Sequence, residues 1–444
     1  MINQEPLLSV GIYEHETETR GVLNGRFVLP DGTPLSGEFS VRRSQDGLAL
    51  AGKDGQERGR GAELRLKPEG KATFTLRGVT IGINFHWQRK EDQTFEGGLR
   101  LRANANGTIT AINDAGVEQY LKSVISSEMS AEAPLELLRA HAITSRSWLV
   151  AMLERQKRFK HIGGPARRGS ESETEIVRWY DREDHERYDV CADDHCQRYQ
   201  GITKIISPAA AQAVQDTRGV FLVHGGEICD ARYSKSCGGR SEVFATAWEE
   251  LSVPYLATVS DAAVEHPLIS SEATAQQWIR ASPEAYCNTT DGSILRQVLP
   301  SFDQETTDFY RWTVTYGNDE LAALLHRRSG IDFGALRQLE PLQRGPSGRI
   351  DRLRIVGTRR TVVVGKELEI RRWLSPSHLY SSAFVVTTEG GPGGLPAKFT
   401  LHGAGWGHGV GFCQIGAAVM AAQGFQAETI VKHYFRGVEL KKLY

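Results

Sequence analysis

Leu99-Arg100-Leu101-Arg102, the segment from Val117 to Ser126, and the run from Pro134 to Trp148 decide the fold of this chain. The first alternates apolar and polar residues with a period of two, the mark of a half-buried strand. The second predicts a helix. A further helix is expected from Pro134, since proline suits a first helical position. Along it Leu135, Leu138, Ala142, Ser145, Leu149 and Met152 recur at three- and four-residue steps. They predict one apolar stripe packed on a core. Strands before Gly116 and helices after it place the chain in the α+β class.

Working outward, residues 7–13 and 72–76 predict further strands, with turns at Leu29-Pro30-Asp31-Gly32, Asp46-Gly47 and Asp54-Gly55. Residues 1–115 therefore read as a β-rich N-terminal region and 116–262 as a mixed α/β core. Within that core, residues 155–188 are crowded with charge, including Arg167-Arg168 and Glu171 to Glu175. They predict a solvated loop. Residues 263–380 read as an α/β insertion, with a helix over 320–328 and strands over 353–356 and 361–364 around Gly357. Residues 381–444 complete the core with a glycine-rich loop and a helix over 426–435.

Lysine and arginine total 53 against 54 acidic residues, a net charge of -1 in 444 residues. No bulk field steers such a chain to nucleic acid. No run of about eighteen apolar residues occurs, so no transmembrane helix is expected. Met1-Ile2-Asn3-Gln4-Glu5-Pro6 has neither a basic start nor an apolar stretch, so no signal peptide is expected in this sequence. Six cysteines are too sparse for a disulfide scaffold.

Four groups of residues carry chemistry. Glu128, in Ile125-Ser126-Ser127-Glu128-Met129-Ser130, sits at a helix end facing the negative pole of the dipole, which favours the neutral acid. Such a carboxyl can hand a proton to a glycosidic oxygen. From spacing alone a surface glutamate in a helix-helix turn is the simpler reading, and Glu132 and Glu136 share nearly the same local case. Gly403-Ala404-Gly405-Trp406-Gly407-His408-Gly409-Val410-Gly411-Phe412-Cys413-Gln414-Ile415-Gly416 is too glycine-rich for an ordinary strand. It lacks the Lys-Ser/Thr pair of a phosphate loop. Trp406 and His408 offer a stacking face and a polar edge for a sugar, or the stretch is a tight bend around a core tryptophan. Tyr233-Ser234-Lys235-Ser236-Cys237-Gly238-Gly239-Arg240-Ser241-Glu242 predicts a tight turn; a Cys237 nucleophile with His408 as base is the rival. Finally, His185, Cys191, His195 and Cys196 match a zinc donor set, with Asp189 or Asp194 as substitutes. Adjacent His195 and Cys196 can share one ion only in a turn. A Cys191–Cys196 disulfide is the competing account.

Together these residues are familiar. Tyr120-Leu121 through Glu128-Met129, then Pro134-Leu135-Glu136 through Ser145-Arg146-Ser147-Trp148, resemble the core of the SpoIID/LytB family, the stage II sporulation protein D proteins and amidase enhancers. Tyr188-Asp189-Val190-Cys191 to Cys196-Gln197-Arg198-Tyr199-Gln200-Gly201 is similar to the family's next block. Ser236 to Glu242 with Trp248 and Pro254-Tyr255-Leu256, then Ser347-Gly348-Arg349-Ile350 and Ser381-Ser382-Ala383-Phe384, follow in the family's order. Gly405 to Ala417 is the most specific match.

The resemblance implies a lytic transglycosylase acting on peptidoglycan glycan strands, with Glu128 on the family's catalytic glutamate. It implies a structural zinc near His185, Cys191, His195 and Cys196, with an altered spacing between Cys191 and His195. It implies a sugar groove lined by Tyr233, Ser236, Cys237, Gly238, Gly239, Trp406, His408 and Gln414. Arg146 would orient Glu128 or meet substrate carboxylates, unless it makes a plain salt bridge. Residues 15–95 and 264–345 look like insertions. A cell-envelope location outside the cytoplasm and a cell-wall amidase as partner follow from the same likeness. The rival functions are a non-catalytic glycan-binding enhancer of an amidase, and a zinc amidase.

Overall fold

In the computed structural model, which describes all residues except 1, 46, 83–87, 131–132, 163–168, 181–184, 194, 206–207 and 299–306, helices and strands are both abundant. The α+β expectation holds. Glu132, Asp46, Asp194 and the Arg167-Arg168 pair lie outside the described residues. The chain forms two compact units, each drawn from separate stretches. One comprises 1–142, 182–220 and 442–444; the other comprises 143–181 and 221–441.

The first unit is built on an eleven-stranded sheet among the described residues. The period-two segment becomes the strand Gly98–Ala103, with Leu99 and Leu101 fully buried. It lies between Ile109–Gly116 and Glu63–Pro68. Leu7–Glu16 pairs with Ile109–Gly116 and, on its other side, runs parallel to the two-residue strand Val190–Cys191. The 1–115 region is strand-rich, as its turns and alternation predict.

An aromatic column ties this sheet to the first helix, α1 (Val117–Glu128). Phe27, Phe74, Phe95, Tyr199 and Tyr120 follow one another with ring centroids 5.0–6.3 Å apart. The Tyr199 hydroxyl donates to Asn113 Oδ1 at 2.6 Å. Such contacts add to the large area that aromatic rings bury. Gly116 precedes α1 and has no side chain to cap it. The Glu118 amide donates instead to Glu5 Oε1 at 3.1 Å. A Cβ on Gly116 would stand 2.5 Å from that oxygen, so a larger residue there would have to push the Glu5 carboxylate aside.

The second helix, α2, spans Leu135–Ile162. Pro134 stands just before it, its carbonyl accepting from the Leu138 amide. The stripe packs in the core as expected, with Leu138, Ala142, Ser145, Leu149 and Met152 all buried, and one expectation, the charged loop, is corrected. Burial extends beyond the stripe, since every residue from Ala140 to Val150 is buried, including His141, Thr144, Ser145, Arg146 and Ser147. A helix wrapped on all sides keeps no polar face, and period alone does not reveal that. The charged 155–188 segment is not one solvated loop. It includes the end of α2 and the strands Gly169–Glu171 and Glu175–Arg178, the latter parallel to Thr361–Gly365. Charge hid these short strands because their partner is far away in sequence.

In the second unit those strands extend a five-stranded sheet through Ile350–Gly357 to Leu336–Arg344. A three-stranded sheet joins Arg311–Gly317, Pro396–Ala404 and Phe384–Gly390. Trp312, Phe333, Leu353, Ile355, Trp373, Phe399 and Leu401 belong to its apolar core. The helices expected over 320–328 and 426–435 appear as Asn318–Ser329 and Ala427–Tyr434.

Candidate functional site

In the first unit, Glu128 is the last residue of α1, as its sequence predicts. Its side chain is half-buried, and Oε1 accepts from the Arg198 amide at 3.3 Å. Among the described residues no cation pairs with it. Glu136 differs: it is paired with Arg139, which also binds Asp216.

The segment that delivers the Arg198 amide also holds the Cys/His cluster. His185 Nε2 lies 3.4 Å from Cys196 Sγ, and His195 Nδ1 lies 3.6 Å from Cys196 Sγ and 3.9 Å from Cys191 Sγ. The four donor atoms all lie within 4.8 Å of one another. The adjacent His195 and Cys196 converge because they occupy a turn, closed by the Cys196 amide on the Asp193 carbonyl at 3.0 Å. Both thiols are free rather than bonded to each other. The Cys191 thiol is held well below its usual value, first by the Cys196 hydrogen bond and then by His185 and His195, against the cost of burial. Asp189 is otherwise engaged: its Oδ2 accepts from the Ser9 amide at 2.8 Å and the Ser9 hydroxyl at 2.9 Å.

In the second unit, the glycine-rich loop follows the strand Pro396–Ala404 and leads into the helix Gln414–Ala422. Gly405, Gly407, Gly409 and Gly411 all have φ between 73° and 93°, where L side chains are strained. Cβ atoms at Gly409 and Gly411 would stand 2.3 Å from Arg349 Cζ and from the Arg232 carbonyl oxygen. Between them stand the half-buried Trp406 and His408. Trp406 stacks on Phe309 with centroids 4.6 Å apart and meets Tyr380 at 4.5 Å. His408 Nδ1 accepts from the Val410 amide at 3.0 Å, which assigns the ring proton to Nε2. The His408 ring lies 4.9 Å from Trp248, which the Arg232 guanidinium covers at 4.2 Å.

The Ser236–Gly239 turn is a neighbour of this loop. Ser236 and Trp406 exchange backbone hydrogen bonds of 3.1 and 2.8 Å, and Tyr233–Ser234 pairs with Phe412–Cys413. The structure thus brings Tyr233, Ser236, Cys237, Gly238, Gly239, Trp406, His408 and Gln414 into one region of the second unit. Their exposure differs. Tyr233, Trp406 and His408 are half-buried, whereas Ser236, Cys237 and Gln414 are at most 2% exposed. Arg146 is fully buried in α2. Burial pushes the Cys237 thiol well up, which works against a nucleophilic thiolate there.

A buried arginine braces the loop, and its role is not evident from sequence. Arg349 donates through Nε and Nη2 to the Gly407 carbonyl at 3.1 and 3.0 Å, and through Nη1 to Cys237 O at 3.1 Å and Ser347 Oγ at 2.9 Å. Glu242, also fully buried, accepts from the Ser347 hydroxyl at 2.6 Å, while its amide donates to Gly409 O at 2.8 Å. The only sequence signal was membership of Arg349 and Glu242 in two short motifs.

Residues 105–224 match the family model described as Stage II sporulation protein, SpoIID, and residues 242–411 match a domain of unknown function, DUF8618. A stage II sporulation protein D of Bacillus amyloliquefaciens is 24% identical over 75% of this chain and 76% of its own length. An uncharacterized protein of Brachyspira hyodysenteriae is 24% identical over 76% of this chain and 69% of its own. An amidase enhancer of Bacillus subtilis is 24% identical over 52% of this chain but only 32% of its own length. No helix among the described residues is long and apolar enough to cross a membrane.

Proposed function

We propose that this chain, whose residues 105–224 match the SpoIID family model, acts on the cell wall, outside the cytoplasm, as a peptidoglycan lytic transglycosylase. The observation that carries the reading is Glu128: a half-buried carboxyl at a helix end, fixed through one oxygen by a backbone amide, with no cation partner among the described residues.

A single acid/base suffices for the reaction. Glu128 gives its proton to the oxygen linking N-acetylmuramic acid to N-acetylglucosamine, and the C1–O bond breaks. The resulting carboxylate takes the proton of the muramoyl C6 hydroxyl as O6 closes on C1. A 1,6-anhydro ring forms, Glu128 regains its proton, and no water enters the product.

His185, Cys191, His195 and Cys196 would hold a zinc ion. Their donor atoms already cluster, and two thiols with two imidazoles make a closed structural set. Bound there, zinc supplies folding energy rather than chemistry. The chain itself contributes the turn that ends in the Arg198 amide, which positions Glu128. In the second unit Tyr233, Trp406 and His408 would contact sugar. Ser236, Cys237, Gly238, Gly239 and Gln414 would shape that surface from beneath, whereas Arg146, fully buried in α2, is not exposed to meet substrate carboxylates.

Digestion of denuded glycan strands, read by mass spectrometry, tests this. Anhydromuramic ends are expected, and Glu128→Gln is expected to lose about a hundred- to ten-thousand-fold in rate with an unchanged circular dichroism spectrum. Products heavier by one water, or undiminished turnover by Glu128→Gln, would refute it. The likeness to an amidase enhancer supports a second reading, glycan binding that stimulates a separate amidase. That reading is favoured if Glu128→Gln binds glycan and stimulates the amidase as the wild type does.

A further inference from the structure

A second group of metal-type donors lies wholly within the second unit, far from the Cys/His cluster in sequence. Cys237, Asp261, Cys287 and Cys413 are 0–2% exposed, and one donor atom from each lies within 4.8 Å of all the others. The three thiols are free. Cys237 Sγ and Cys287 Sγ are 3.7 Å apart. A tetrahedral zinc with bonds of about 2.3 Å to sulfur has edges of about 3.8 Å, so this pair already has the right span. It is far too long for the ~2.05 Å bond of a disulfide.

The surroundings are those of a metal centre. The Cys237 amide donates to Cys413 Sγ at 3.3 Å. Asp261 Oδ1 accepts from the Tyr434 hydroxyl at 2.6 Å and Oδ2 from the Cys287 amide at 2.9 Å. Hydrogen bonds of this kind orient ligands and fix their charge. Gly416 leaves room for the carboxylate, since a Cβ there would stand 2.3 Å from Asp261 Oδ1. Four ionised donors around one divalent cation leave two net negative charges. Two guanidinium groups are at hand: Arg349 donates to Cys237 O, and Arg311 donates to Gly238 O at 3.1 Å.

Zinc is the cation whose preferred donors and geometry match three thiolates and a carboxylate.

We propose that Cys237, Asp261, Cys287 and Cys413 hold a structural zinc ion. It fastens the Ser236–Gly239 turn to the end of the glycine-rich loop, where Cys413 directly precedes the helix Gln414–Ala422. Because all four ligands come from the chain, the ion has no open position and takes no part in chemistry.

The test is zinc content of the purified full-length chain by elemental analysis, joined to zinc X-ray absorption and intact mass. The wild type is expected to hold a zinc whose shell contains three sulfurs and one oxygen. Cys287→Ser/Cys413→Ser is expected to hold one zinc fewer, while Cys191→Ser/Cys196→Ser keeps it. Should the first variant fail to fold, the wild-type spectrum and the second variant decide. A wild type whose zinc carries only two sulfurs and imidazole, or no zinc at all, overturns the proposal. So does a mass two hydrogens low with the bond mapped to Cys237 and Cys287. The Cys/His cluster fails separately, if Cys191→Ser/Cys196→Ser has the zinc content of the wild type.

Discussion

Replacing Arg349 by methionine keeps most of its length and removes the fork that holds the loop. The fork reaches Gly407 O twice, Cys237 O and Ser347 Oγ, all between 2.9 and 3.1 Å. Arg349 is fully buried, so water does not replace it. Each buried acceptor left unpaired costs about 1–3 kcal/mol. Three acceptors give roughly 3–9 kcal/mol, and release of the guanidinium from its own desolvation returns part of that. We therefore expect a net loss of about 3–5 kcal/mol, on the order of 10 °C in melting temperature for a unit of this size. Lysine supplies one point charge and no fork, so Arg349→Lys recovers less than half of the loss. Urea unfolding of the three proteins, followed by near-ultraviolet circular dichroism for the Trp406 environment, measures both effects. A methionine variant within about 1 kcal/mol of wild type, or full rescue by lysine, would show that the brace holds nothing.

Gly409→Ala places a Cβ at φ 73° and 2.3 Å from Arg349 Cζ, so it should destabilise by about 2 kcal/mol or more in the same titration, whereas Gly390→Ala, at an open position, should be nearly neutral. Burial raises the Glu242 carboxyl above its ordinary 4.5, ahead of the opposing hydrogen bonds from Ser347 and Val243. Between 4.5 and the higher folded value the folded chain holds one more proton than the unfolded chain, so stability falls as pH rises. Glu242→Gln should abolish that slope; an unchanged pH profile would mean that Glu242 does not titrate differently on folding.

Local sequence went far where local physics decides. Period-two alternation marks the strand around Leu99 and Leu101, and the sequence predicts a helix from Val117 to Ser126, which the structure carries on to Glu128. The excess of glycine marked the 403–416 loop as backbone under constraint, and four left-handed glycines are the reason. Long-range pairing was not legible. Glu175–Arg178 is a strand because Thr361–Gly365 lies beside it, and nothing near residue 175 says so. The Arg349 brace and the Cys237, Asp261, Cys287 and Cys413 cluster were hidden for the same reason. Their members are scattered along the chain and meet only in the folded unit.

The alternation of left-handed glycines has an engineering consequence. Positions 405, 407, 409 and 411 are closed to other residues by their dihedral angles, and Val410 points into the core. Only 406 and 408 combine a tolerant backbone with access to solvent. A combinatorial library aimed at retuning what this surface accepts therefore needs two randomised codons, with every second residue around them left untouched.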